Sequence, residues 1–287
     1  MLRAYFARHK SASTWARTIL HEVAFALDLD IVTIHVPEQW APYPSLGDYV
    51  RATKPGILIL TNSMPEWIDS LPEMRAFHMI RDPRDIVVSG YFSHLNSHPE
   101  VVGGIPWPEL VEHRRNLRKL DQNGGMHAEI EFSRMFLEPM AGWTYDRPGV
   151  LETKMEDLTS DPVKVWTTIL SHLELLTPDG SGEEKARMTA VKWNLAARRR
   201  TPKLMRYPRM VLPRIPIQRL PGAYVANTNE RFSFAKLAKG RERGQEDVHS
   251  HYRRGVSGDW RNHLDEGHLA AFRDRYGDLV ERLGYEW

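Results

Sequence analysis

The chain has 287 residues, of which 41% are hydrophobic and 26% charged, with a formal net charge of +2 and a pI near 8.7. These proportions are ordinary for a soluble globular protein with ample material for a core. The absence of cysteine excludes disulfides, thiolate metal sites and a cysteine nucleophile. No apolar run is long enough for a membrane span. The opening MLRAYFARHKSASTW lacks the pattern of a signal peptide, so a cytoplasmic chain is expected. The slight positive excess suits an anionic ligand without requiring nucleic acid.

The predicted elements alternate from the start. Arg3–Arg8 carries a short apolar run that reads as a buried strand, and His9–Thr14 is a small polar loop. From there Trp15, Ile19, Val23 and Ala26 recur at helical spacing. Ile31–Val36, Gly56–Leu60 and Ala76–Ile80 read as further strands, with a fifth at Gly149–Glu152 before a turn at Met155–Pro162. Strands alternating with helices predict an α/β fold: a parallel five-stranded sheet flanked by helices on both faces. No internal repeat is present, and residues 1–287 read as one domain. Arg198–Arg219 holds eight basic residues and no acidic one, and its neighbourhood is broken by Pro202, Pro208, Pro213, Pro216 and Pro221. This span, at about 198–222, reads as a surface excursion. Its apolar members Leu204, Met205, Met210, Val211, Leu212 and Ile215, beside Arg206 or Arg209, could form a lid over an acceptor. The chain closes on one amphipathic helix with Leu269, Phe272, Tyr276, Leu279 and Leu283 on its apolar stripe.

Three constellations point to phosphate chemistry. His9-Lys10-Ser11-Ala12-Ser13-Thr14-Trp15 lies between a strand and a helix, where free N–H groups, hydroxyls and a lysine suit an anion. It is not a Walker A loop, and an ordinary helix cap by Ser11 or Ser13 is the plainer alternative. Arg81-Asp82-Pro83-Arg84-Asp85 leaves a strand end and runs on to Ser89 in the next helix, close enough for one phosphate to meet both ends. Simple ion pairing at a helix start is the alternative, most natural for Arg84 and Asp85. Arg253-Arg254-Gly255 offers two guanidinium forks and an exposed N–H, or else a basic surface turn.

Taken in order, these segments resemble the cytosolic-type family of sulfotransferases, which use 3′-phosphoadenosine-5′-phosphosulfate (PAPS). Lys10 to Trp15 resembles the family's K-S-x-T-T-W loop, and Arg81–Ser89 its 3′-phosphate motif. Arg253 to Asn262 resembles its late R-K-G-x-x-G-D-W-K-N element, Arg231–Phe234 the segment beside adenine, and Met155–Leu158 its Y-E-D-M turn. The resemblance runs from about residue 5 to about residue 264. It implies a fold related to nucleotide kinases, PAPS as co-substrate, the desulfated nucleotide PAP as product, and a small-molecule acceptor. It further implies that Lys10, Ser11, Ala12, Ser13 and Thr14 hold the 5′-phosphosulfate. Trp15 and Phe234 would pack on adenine, and Arg81, Ser89, Arg253, Arg254 and Gly255 would hold the 3′-phosphate.

The sequence departs from the family at Ala12, where glycine is usual, and at Met155, where tyrosine is usual. The family's catalytic histidine belongs to a K-T-H-x-P segment, whereas this chain reads Leu60-Thr61-Asn62-Ser63-Met64-Pro65. Asparagine is no general base near neutral pH. Lys10 is assigned to the charge growing on the leaving phosphate. The base is sought among His94, His98, His9 and Glu66, with His94 preferred. His94 and His98, four residues apart, are expected to share a helix face. No third residue joins them as a metal ligand, so no metal is expected. The rival readings are a kinase-like nucleotide-binding enzyme and a nucleic-acid binder using Arg198–Arg219. The missing Walker A glycines weigh against the first, and the near-balanced charge and lack of a binding module weigh against the second.

Overall fold

A computed structural model describes residues 1–177, 184–199 and 214–287. In chain order come β1 (Leu2–Phe6), α1 (Ser13–Ala26), β2 (Ile31–Ile34), α2 (Leu46–Thr53), β3 (Ile57–Leu60), α3 (Pro65–Ile68), β4 (Met74–Ile80) and α4 (Pro83–Asn96). A small hairpin, β5 (Val101–Val102) and β6 (Ile105–Pro106), leads to α5 (Pro108–Leu117), α6 (Gln122–Phe132) and α7 (Arg134–Ala141). Then follow β7 (Val150–Lys154), α8 (Met155–Ser160), α9 (Pro162–His172), α10 (Glu184–Arg199), α11 (Ala223–Arg231), α12 (Phe234–Leu237), α13 (Glu266–Tyr276) and α14 (Leu279–Arg282).

The five long strands form one parallel sheet in the order β2-β3-β1-β4-β7. Such a sheet is covered on both faces, which is why β3 is apolar throughout and all four of its residues are fully buried. The two-residue period divides the strands between two cores. Tyr5, Ile59, Phe77 and Met79 face α1 and α9, whose Ile19, Val23, Trp166 and Leu170 cover them. Phe6, Leu58, Leu60 and Ala76 face Trp40, Leu46 and Trp143 on the other side. Each such side chain contributes about 1.5–3 kcal/mol by burial. A third apolar cluster joins α4, α6, α7, α13 and α14.

Strand β1 occupies the middle of the sheet because the chain first builds outward to β2 and β3, then crosses to β4 on the other side. The carboxyl ends of β1 and β4 therefore flank a switch point, where open α/β sheets form their ligand crevices.

The boundaries differ from the sequence reading in several places. Strand β1 stops at Phe6 because Arg8 turns inward to Ser63 and His78. Met155–Ser160 is a short helix rather than a turn. The C-terminal amphipathic stretch is two helices, because Gly277 takes φ +57°, although Phe272, Tyr276, Leu279 and Leu283 are all buried as expected. Of the basic excursion, Leu204, Met205, Arg206, Arg209, Met210, Val211 and Leu212 lie outside the described residues. Ile215 is described, and it is tied to Asn194 through both backbone groups.

Candidate active site

The loop after β1 is held in an uncommon backbone shape. Lys10 and Ala12 both adopt left-handed conformations, φ 58° and 56°. For residues with a Cβ this costs roughly 1–2 kcal/mol each, so the surroundings must enforce it. The Ser63 amide donates to Ala7 O at 3.2 Å. Arg8 donates to Ser63 O at 2.5 Å and to His78 Nε2 at 2.7 Å. From β4, Arg81 Nη1 donates to Lys10 O at 3.1 Å. Ala12 is the N-cap of α1, and no side chain caps that helix. Its first N–H groups are thus left for another partner.

This loop forms one wall of a cavity of about 860 Å³. His9, Lys10, Ala12, Ser13, Thr14 and Trp15 lie on the wall. Ser11, expected with them, does not: it is fully buried, with its hydroxyl turned to His9 O at 3.5 Å. Burial, then the Arg81 guanidinium, pushes the Lys10 ammonium down to about 7. Thr14 Oγ1 shares a 2.8 Å hydrogen bond with His251 Nε2. Burial above all, and then Lys10, holds that imidazole at about 4.

The second wall comes from β4 and α4. Arg81 and Ser89 both line the cavity. Arg81 is 6% exposed, and its buried Nε has no hydrogen-bond partner. Arg84 pairs locally with Asp82 at 2.8 Å rather than with Asp85, with its guanidinium 3.8 Å from the Trp260 ring centre. Asp85 does more than pair locally. Its carboxylate accepts from Gly258 N at 2.7 Å and from Trp260 N at 2.9 Å, which fastens the late loop to α4.

That late loop brings Arg253, Arg254 and Gly255 to the cavity. Asp259 pairs with both arginines from behind, and its carboxyl lies below the usual range because hydrogen bonds from His263, Asn262 and Arg253 outweigh the effect of burial. The buried Nε of Arg254 has no partner. Gly255 has φ +69°, and a Cβ there would stand 2.4 Å from the Phe234 ring. Only glycine lets the backbone approach Phe234 this closely. Phe234 and Met155 complete this end of the wall.

The opposite end is largely apolar, with Val36, Met64, Trp67, Ile105, Trp107 and Phe136 on the wall, together with Glu38 and Glu109. Asn62 and Thr61 lie here. Glu66 is exposed and is not on the wall. Nor is His94, which is fully buried against α6. The imidazole on the cavity side is His9, whose Nε2 lies 3.0 Å from His94 Nε2. His94 Nδ1 lies 2.9 and 3.1 Å from the two carboxylate oxygens of Glu129. Glu129 also meets His113 Nε2 at 2.8 Å. His98 does line the cavity but sits beyond the end of α4, because the chain leaves the helix at Ser97 ahead of Pro99.

His9, His94 and His98 bring ring nitrogens within 4.8 Å of one another, so the third imidazole not apparent in the sequence is His9. Their spacing would admit a cation, yet the Nε2 atoms of His9 and His94 are engaged with each other. Glu129 and His113 carry no motif and were not found from the sequence. Nor was the contact that admits Glu129, which depends on Gly90: a Cβ there would stand 2.4 Å from Glu129 Oε1.

No family model and no curated protein matches the chain. Solved structures do. The mouse sulfotransferase SULT7A1 complexed with PAP is similar at a TM-score of 0.50 and 15% identity, over 98% of this chain and 84% of that one. Retinol dehydratase in a complex with retinol and PAP is similar at a TM-score of 0.47 and 14% identity, over 100% of this chain and 83% of that one. Among the described residues no helix is long and apolar enough to cross a membrane. The five-stranded parallel sheet with helices on both faces is thus the P-loop-kinase-like fold of the sulfotransferases.

Proposed function

We propose that this chain transfers a sulfuryl group from PAPS to a hydroxyl or amine of a largely apolar small molecule. One observation carries the reading. Three separate basic segments, around Lys10, Arg81 and Arg253, converge on one cavity beside an uncapped helix N-terminus. Like charges gathered in one cleft focus a positive potential that draws an anion.

In this reading Lys10, Ala12, Ser13, Thr14 and the N-terminal amides of α1 receive the 5′-phosphosulfate. Ser11 supports the loop from behind. Trp15 and Phe234 face adenine, and Arg81, Ser89, Arg253, Arg254 and Gly255 receive the 3′-phosphate. PAPS supplies the activated sulfuryl group. The new bond runs from the acceptor atom to sulfur, while the bond from sulfur to the bridging phosphate oxygen breaks and its electron pair stays on the phosphate. Lys10 meets that growing charge, so its effect is larger in the transition state than in the ground state. The wall of Trp67, Trp107 and Phe136 sets the acceptor's apolar character and excludes water.

The test is calorimetry with PAP, adenosine 5′-phosphate and ATP, followed by transfer from labelled PAPS across an acceptor panel. PAP should bind best of the three. ATP binding at least as tightly as PAP, with phosphate transfer dependent on Mg²⁺, would establish a kinase-like enzyme instead.

A further inference from the structure

The segment after β3 places Asn62 at the cavity and so offers no proton acceptor there. Four imidazoles line the cavity: His9, His35, His98 and His251. His35 Nδ1 is engaged by Thr61 at 2.9 Å, His98 Nδ1 by Pro99 O at 2.9 Å and His251 Nε2 by Thr14 at 2.8 Å. His9 differs, because a chain of hydrogen bonds joins it to a buried carboxylate. From His9 Nε2 it passes to His94 Nε2 at 3.0 Å, and from His94 Nδ1 to Glu129 at 2.9 Å. His94 and Glu129 are both fully buried. The His9 ring is clamped by Phe136, at a centroid distance of 3.8 Å and 13° from parallel. Its neighbour in the chain is Lys10, so it cannot be far from the group being transferred.

The hydrogens along this chain follow from the carboxylate. Burial works to raise the Glu129 carboxyl, yet His94 and the hydrogen bonds from His113 and His94 bring it below its usual range. An ionised Glu129 only accepts, so His94 Nδ1 carries the hydrogen. When that is the only hydrogen on His94, its Nε2 presents a lone pair, which takes the Nε2–H of His9. That leaves the lone pair of His9 on Nδ1, a nitrogen engaged by no hydrogen bond among the described residues. The titratable groups facing His9 are Lys10, His98 and His251 around the cavity and His94 away from it, with Glu129 and His113 behind His94. Burial first, then His94 and Lys10, keeps His9 well below its ordinary value and therefore neutral at rest.

We propose that His9 is the catalytic base, and that His94 and Glu129 are positioning residues that hold its tautomer. The inference rests on the sulfotransferase reading. As the acceptor oxygen bonds to sulfur, its proton passes to His9 Nδ1, and the electron pair of the broken S–O bond leaves on the phosphate beside Lys10. The resulting imidazolium keeps its Nε2–H on His94, whose other face meets the Glu129 charge.

Ring-¹⁵N NMR of the full chain labelled at histidine reads the tautomers whichever acceptor the enzyme takes. His9 should carry its hydrogen on Nε2 and His94 on Nδ1, and Glu129→Gln should disturb both. A His9 protonated on Nδ1 would overturn the proposal, because its remaining lone pair, on Nε2, would be taken up by His94. Kinetics with PAPS and two phenols of different acidity, 2-naphthol and 4-nitrophenol, give the second readout. His9→Ala and His9→Gln should lower kcat on 2-naphthol by ~10²–10⁴-fold and much less on 4-nitrophenol, which is already largely ionised. PAP affinity should change far less than kcat on 2-naphthol. His94→Asn and Glu129→Gln should show smaller losses with the same dependence on acceptor acidity. Equal losses on both phenols would overturn the proposal, as would a wild-type rate abolished by EDTA and restored by Zn²⁺. Failure of the wild type to bind PAP would instead refute the sulfotransferase reading, a result separate from the tautomer measurement.

Discussion

Replacing Arg81 by alanine tests the nucleotide site most directly. Arg81 is 6% exposed and is placed by two interactions: Nη1 to Lys10 O at 3.1 Å and Nη2 3.7 Å from Asp85. Its buried Nε is left without a partner. A charge-assisted hydrogen bond to phosphate is worth ~1.5–3 kcal/mol, which is roughly 10–150-fold in Kd. The lost tether to Lys10 O is a neutral-acceptor bond worth about 0.5–1.5 kcal/mol, or some 2–12-fold. The tether acts on both ends of the nucleotide site, whereas the phosphate contact acts on the 3′ end alone. Arg81→Ala should thus weaken adenosine 5′-phosphate by about tenfold at most, and PAP by a further factor of roughly 10–150. Asp85 remains satisfied by the Gly258 and Trp260 amides, so the variant should fold. Calorimetry with both nucleotides on both proteins gives the ratio. An equal loss for the two would refute the placement of Arg81 at a 3′-phosphate, and so would a wild type that binds them equally.

Three further expectations follow from the loop and the late segment. Burial holds Lys10 at about 7 and an arriving anion must raise it, so PAP binding near neutral pH should take up a proton. Affinity should accordingly fall as pH rises from 6.5 to 9, and Lys10→Met should remove both the slope and the buffer-dependent heat. Ala12→Gly should relieve the left-handed strain at φ 56°, raising stability by about 1 kcal/mol or ~2 °C in Tm with PAP binding retained; a lower Tm in scanning calorimetry would contradict this. Gly255→Ala would drive a Cβ to within 2.4 Å of Phe234 and should weaken PAP by roughly tenfold, as one misplaced aromatic wall would; unchanged affinity would remove Phe234 from the nucleotide site.

The strands were legible because each is a short apolar or β-branched run, and β3 in particular is buried on both faces. Their order was not, since nothing in Leu2–Phe6 marks it as the central strand. The motif residues were legible as a set, and the structure brings Lys10, Arg81 and Arg253 to one cavity, though Ser11 turns away from it. The preference for His94 shows where the reading stopped. A spacing of four residues tells which side chains share a helix face, but not whether that face meets a cavity or another helix. Here α4 packs on α6 through Gly90, so His94 is sealed behind His9. Glu129 and His113 reach it from α6 and α5, elements with no local signature of chemistry. The ends were obscured for a related reason: a single Gly277 at positive φ divides a stripe whose periodicity is continuous across it.

The placement of charge explains why a net of +2 understates the site. The acidic partners of the basic end stand behind its cations: Asp85 holds the late loop, Asp259 holds Arg253 and Arg254, and Glu156 accepts the Asp82 amide. None of these three carboxylates lines the cavity, whereas Lys10, Arg81, Arg253 and Arg254 all do. A carboxylate in this position fixes the direction of a guanidinium while leaving its remaining N–H groups for a ligand, so the cost of ordering those side chains is met before the ligand arrives. Folding the same charges into surface ion pairs would give the same sum and no site. The field at the cavity is therefore set by which side of each ion pair faces inward.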